Sequence, residues 1–137
     1  MSRIAIVTDS TSDIPKNMVK ELDIKVIPLT VIFDKESFLD DGKEITISEF
    51  YKKIRLAEKL PTTTVPSPKY FIETYTDILQ KYDSIISIHI SKKMSGTVNA
   101  AELSKKEIPG KDIEIIDSEY VLLQYRTIFY GMDNSYQ

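Results

Sequence analysis

The sequence predicts an α/β fold, a mainly parallel sheet flanked by helices, on three observations. Short β-branched apolar runs recur along the chain, "RIAIVTD", "SIISIHI" and "DIEIID". Segments of helix formers opened by capping residues lie between them, and the connections are short. Runs of this kind are the form taken by strands covered on both faces, as parallel sheets require. At 137 residues, 42% hydrophobic and 28% charged, the chain can build one core of its own and has the composition of an ordinary folded domain.

The elements follow in order. "RIAIVTD" is a strand, and "STSDIPKNMVKEL" after it supplies Ser12 or Asp13 as the cap of a helix with Pro15 in its first turn. "DIKVIPLTVIF" is a second strand in which Pro28 marks a bend or an edge, and "DKESFLDDGKEI" is a hairpin return with a turn near Asp41-Gly42. "TISEFYKKIRLAEKL" opens with Thr46 and Glu49 at capping-box spacing and carries Phe50, Ile54 and Ala57 on one helical stripe. After the proline-flanked loop "PTTTVP", Ser67-Pro68 starts a helix whose apolar face is Tyr70, Phe71, Tyr75, Ile78 and Leu79. "DSIISIHI" is a strand, "SGTVNAAELSKKE" a helix and "DIEIID" a last strand. No internal repeat or low-complexity linker interrupts the pattern.

Composition removes several functions. The formal charge is −3 and lysines alternate with acids, so no basic field invites nucleic acid. With no cysteine, disulfides, thiolate metal sites and cysteine nucleophiles are excluded, which fits a cytoplasmic protein. The first apolar run meets Asp9 too soon for a signal-peptide core, and no apolar run of about 20 residues offers a membrane anchor. Neither glycine-rich nucleotide loop pattern is present.

In α/β sheets the functional loops lie beyond the carboxyl ends of the strands, and three hydroxyl-bearing segments fall there: Thr8 to Asp13, Ser91 to Thr97, and Asp117-Ser118. Ser95-Gly96-Thr97 at a helix start offers free backbone amides, two hydroxyls and a glycine that admits a ligand close to the main chain, a combination suited to a carboxylate or phosphate. Ser95 equally suits a simple helix cap. Thr62 to Thr64 form either a source of neutral donors or an ordinary polar loop. Asp9 and Asp13 lack a metal-ligand partner set, so capping is the favoured account of that loop. His89 is the only histidine, and a Ser-His-Asp hydrolase would have to use it. Without a nucleophile elbow, a histidine inside a strand reads as packed and hydrogen-bonded.

Taken together, "IVTDSTSDIP", "VIPLTVIF", "LPTTTVPSP", "SIHISKKMSGTVNAA" and "IEIIDS", in this order, resemble the amino-terminal domain of the DegV family of bacterial fatty-acid-binding proteins, from about Arg3 to Ser118. The resemblance implies a lipid-binding protein and not an enzyme. Its ligand would be a long-chain fatty acid, with no cofactor and no metal, and some members would present the carboxylate to a separate fatty acid kinase. It also implies that Ser95, the serine before glycine in the family's S-G-T motif, bonds the carboxylate, and that Thr63, matching the threonine of the T-S-Q-P-S-P loop, does the same. Thr64, Gly96 and Thr97 would support them. Here Thr64 replaces the usual serine and Val65 the usual glutamine, so a bond made by that glutamine is lost.

The expected organisation is a DegV-like α/β domain over residues 1–118 and a divergent tail over 119–137 in which Leu122, Tyr125, Phe129 and Met132 could share one helical face. The family's second domain, against which the ligand lies, is expected to be absent. The alternative to lipid binding is therefore a truncated remnant or a self-associating interaction module. A half-family domain exposes apolar surface that finds partners. Self-association is the expected outcome, and a monomer by light scattering at high concentration, free of lipid and detergent, would contradict it.

Overall fold

A computed structural model of the chain describes residues 2–120. Four parallel strands form its main sheet: β1 (Ile4–Asp9), β2 (Lys25–Ile27), β6 (Ser84–His89) and β7 (Asp112–Asp117), in the order β2-β1-β6-β7. Between them in the chain lie β3 (Thr30–Phe33), β4 (Glu36–Leu39) and β5 (Thr62–Thr64), which pair antiparallel as β4-β3-β5. Four helices complete the fold: α1 (Lys16–Glu21), α2 (Ile47–Leu56), α3 (Pro68–Ile78) and α4 (Thr97–Lys106). The predicted α/β class, a parallel sheet flanked by helices, is thus observed.

Alternation along the strands divides the core. Ala5, Val7, Ile85, Ile113 and Ile115 meet Phe71, Tyr75 and Ile78 of α3 and Val98, Ala100 and Ala101 of α4 on one face. Ile6, Ile86 and Ile88 meet Ile14, Leu22 and Ile24 on the other, beside α1. Small side chains at Ala100 and Ala101 let α4 sit close, and the Ser104 hydroxyl lies between the Ala100 carbonyl at 2.6 Å and the Pro68 carbonyl of α3 at 3.0 Å. The antiparallel sheet keeps a separate cluster, Val31, Phe33 and Ile45 with Phe38, Phe50 and Ile54 of α2.

Several expectations are corrected. "VIPLTVIF" is two strands in two sheets: Pro28, which has no amide to give a ladder, lies between β2 and β3 where the chain changes sheet. The hairpin turns at Asp34, in the left-handed region at φ 50°, and Gly42 at φ 69° serves the turn that follows β4. Neither Ser12 nor Asp13 caps α1, whose N-cap is Pro15 with no side-chain bond; Asp13 instead ends a 3₁₀ turn (Ser10–Ser12) in the left-handed region. Tyr70 stands exposed and outside the apolar face of α3, and Ala57 is the extended cap that ends α2. The expected face of Leu122, Tyr125, Phe129 and Met132 lies outside the described residues.

The capping box at α2 forms as expected. Thr46 Oγ1 accepts from the Glu49 amide at 3.2 Å, and the Glu49 carboxylate accepts from the Thr46 amide at 2.9 Å and hydroxyl at 2.7 Å. Those bonds, the backbone one foremost, hold the Glu49 carboxyl below the ordinary glutamate range. A depressed folded value stabilises above the ordinary value of about 4.3 and is lost as pH falls through the folded value. Thermal unfolding should show Glu49→Gln less stable than wild type at pH 7, with the gap closing in acid below pH ~4. A gap that persists at pH 3 would show that the box owes nothing to the charge.

Candidate functional site

The strand order places a crevice. β1 leads through α1 to β2 on one side, and β6 leads through α4 to β7 on the other, so the connections diverge between β1 and β6. At such a switch point the carboxyl ends of neighbouring strands open a natural binding cleft. Two of the three expected hydroxyl segments, Thr8 to Asp13 and Ser91 to Thr97, flank that point, and Asp117-Ser118 lies beside the second.

Local bonds fix the Ser91–Thr97 loop. The Ser91 carbonyl accepts from the amides of Met94 at 2.9 Å and Ser95 at 3.1 Å, and the Ser91 hydroxyl accepts from the Lys93 amide at 3.2 Å. Neighbouring strand β7 anchors it from the side: the Lys92 amide donates to the Asp117 carboxylate at 3.3 Å and the Ser118 amide to the His89 carbonyl at 3.0 Å. Ser95 is half-buried. Its Oγ lies 2.9 Å from the Thr97 hydroxyl and accepts from the Thr97 amide at 3.3 Å. Ser95 therefore precedes the cap position, which Gly96 occupies without a side-chain bond. Thr97 is fully buried, so its hydroxyl orients Ser95 from beneath and faces no solvent. Val98 and Asn99, in the first turn of α4, have amides with no intrahelical acceptor.

The threonine run arrives as β5, pairing with β3 as Thr64 with Thr30, Thr63 with Val31 and Thr62 with Ile32. All three threonines are exposed. A residue before proline favours extended backbone, which would set Thr63 and Val65 on one side of the run. That side meets α4. A Cβ placed on Gly96 would lie 4.0 Å from both Val65 methyl groups. The structure thus brings the run containing Thr63 against the loop containing Ser95, with Val65 and Gly96 as the contact. Val65 makes this contact with an apolar side chain. Gly96 has φ −76°, an ordinary value, so backbone freedom is not what the position requires.

Beneath the crevice lies a polar row that sequence reading left in pieces. Asp9 Oδ2 is 2.6 Å from His89 Nδ1, His89 Nε2 is 2.7 Å from Ser87 Oγ, and the Tyr75 hydroxyl donates to Ser87 Oγ at 2.7 Å. Burial pushes the Tyr75 phenol far above its ordinary range, so it stays a donor. Asp9 Oδ1 accepts from the Thr11 amide at 2.9 Å and from the Thr11 hydroxyl. The row has the residue types and order of a catalytic triad, yet Asp9 and Ser87 are fully buried and His89 is 2% exposed. A substrate carbonyl cannot reach Ser87 Oγ, and His89 is packed and hydrogen-bonded as expected of a strand histidine. Asp9 could have been suspected from its place at a strand end, but its partner is 80 residues away. Ser12 Oγ is buried with no partner among the described residues.

Among the described residues no cluster of metal-binding side chains occurs and no helix is long and apolar enough to cross a membrane. A cleft of about 440 Å³ elsewhere, lined by Phe33, Asp34, Glu36, Lys53 and Leu56 among others, shares no residue with the crevice.

A family model described as "Uncharacterised protein, DegV family" matches residues 3–132, running on past Ser118. A DegV domain-containing protein of Caldanaerobacter subterraneus is 43% identical over 123 residues, 90% of this chain and 43% of that protein. The chain thus spans less than half the length of this curated relative. A solved DegV family protein of Thermus thermophilus, described by its fatty acid binding, is 42% identical with a TM-score of 0.74, over 84% of this chain and 40% of its own. A Thermotoga maritima structure, described as revealing a fatty acid binding function, is 31% identical with a TM-score of 0.85, over 98% of this chain and 50% of its own.

Replacing Gly96 tests the contact. With an ordinary φ and methyl groups 4.0 Å away, Gly96→Ala should fold and lose under about 1 kcal/mol in denaturant titration. Gly96→Ile, whose branches would push on Val65, should lose more. Equal stability of both variants would show that the two segments do not press together in solution.

Proposed function

The chain belongs to the DegV family, and from that premise we propose that it binds a long-chain fatty acid, with Ser95 and Thr63 on the carboxylate. The observation that carries this reading is the seating of Val65 against Gly96, which gathers the threonine run and the Ser95 loop at one crevice. Ser95 offers a hydroxyl oriented by Thr97, and Thr63 offers one from an exposed strand. Gly96 leaves room for an oxygen near the main chain, and the amides of Val98 and Asn99 present the positive end of α4 to it. Thr64 lies one residue off the side shared by Thr63 and Val65, which suits support of the strand more than contact.

Magnitudes divide the work. Removing about 15 methylenes from water is a gross gain of roughly 12 kcal/mol, at ~0.8 kcal/mol each. A hydrogen bond to a charged group adds about 1.5–3 kcal/mol. The tail would set affinity and the hydroxyls position. Neutral donors also hold a carboxylate without an ion pair to break, which suits a ligand passed to a fatty acid kinase that makes the acyl phosphate. Acyl-phosphate yield undiminished in a Ser95→Lys variant would count against that step.

A second reading, self-association without lipid, draws on the exposure of Val65 at 38% and Met94 at 59% beside the crevice. Organic extraction and mass spectrometry of purified protein separate the two. Lipid binding predicts about one fatty acid per chain, reduced in Ser95→Ala and Thr63→Ala, each of which should weaken a measured Kd by 10-fold or more. Lipid-free wild-type protein that forms dimers supports the second reading.

A further inference from the structure

Backbone pairing between β1 and β6 runs from Ile4 with Ser84 to Val7 with Ser87 and then stops. Beyond it β1 pairs only with β2, to Asp9 with Ile27, and β6 only with β7, to His89 with Asp117. At this switch point a side-chain hydrogen bond continues the link between the two central strands where the ladder ends. Asp9 and His89, each two residues past the last backbone pair, join at 2.6 Å across the gap.

One proton direction runs the length of this row. The Tyr75 hydroxyl donates to Ser87, and a neutral imidazole with its proton on Nδ1, facing the Asp9 carboxylate, lets the Ser87 hydrogen point to His89 Nε2. Phe71 of α3 closes the ring from the side, edge to face at a centroid distance of 5.6 Å. At its other end Asp9 holds Thr11. Both loops at the crevice thus hang from one buried row: Thr11 directly, and Ser91, two residues past His89, whose carbonyl holds the amides of Met94 and Ser95.

We propose that Tyr75, Ser87, His89 and Asp9 are positioning residues for Ser95: the row clamps the carboxyl ends of β1 and β6 together and so fixes the Ser91–Thr97 loop against the crevice floor. Its value for binding rests on Ser95 contacting the carboxylate, whereas the clamp itself is read on the free protein. A triad-like row sealed from solvent does no chemistry on a substrate. It gives a hydroxyl site on a loop the rigidity of the sheet beneath it.

The sole histidine makes the test direct. In long-range ¹H–¹⁵N spectra of the imidazole, the proton should sit on Nδ1 with Nε2 accepting; a proton on Nε2 alone would overturn the row. Amide hydrogen exchange then compares Asp9→Asn and Ser87→Ala with Ile113→Val, a core change outside the row. The row variants should speed exchange at Met94, Ser95 and Thr97 by about tenfold over the control, once rates are corrected for global stability, the equivalent of one net hydrogen bond. Exchange raised no more than in the control would sink the proposal. If neither row variant folds, the wild-type imidazole spectrum decides alone. A wild-type chain that takes up no fatty acid would overturn the carboxylate reading, and the exchange comparison would still judge the clamp.

Discussion

The hydrogen bond between Asp9 and His89 is the constraint on which the carboxyl edge of the sheet depends. Parallel strands whose connections diverge open a crevice, and here the backbone ladder between β1 and β6 ends before the strands do. A carboxylate and an imidazole buried at that point would cost far more than they return if left unpaired. Each instead has its partners inside the row, so the polar group that closes the crevice also specifies how it closes. The same bond sets the starting points of the Thr8–Asp13 and Ser91–Thr97 loops.

The second sheet supplies the other wall. β5 is a three-residue edge strand with nothing buried, held by β3 alone, and its path is stiffened by Pro61, Pro66 and Pro68. Its approach to α4 ends in the contact of Val65 with Gly96. One wall is therefore rooted in the main core, and the other is a strip held by its pairing with β3 and by an apolar touch. An occupant bonded to both walls would link them.

Local signals in the sequence were read well and distant ones poorly. Thr46 with Glu49 and Ser67 with Pro68 act within four residues, and both caps form. The buried runs of β1 and β6 show in their composition because both faces are largely covered, and the edge strand β7 shows by alternation, with Ile113 and Ile115 buried. By contrast, Pro28 marked a break without saying that β2 and β3 belong to different sheets. Ser12 looked like a cap because of its spacing from Pro15, yet Asp9 takes the capping role in that loop and turns it away from α1. Ser95 and Thr63 are named through a resemblance, and the contact the structure gives between their segments is Val65 with Gly96. The partnership of Asp9 with His89 had no local trace: it exists only once β1 and β6 are side by side in register.

The central claim is that one carboxylate engages both walls. It is tested most directly by titrating ¹⁵N-labelled protein with an 18-carbon fatty acid and following backbone amides. The account predicts that residues 62–65 and 95–98 shift together and saturate at one equivalent. Shifts confined to the cleft near Phe33 and Leu56, or no saturable shift at the two walls, would contradict it.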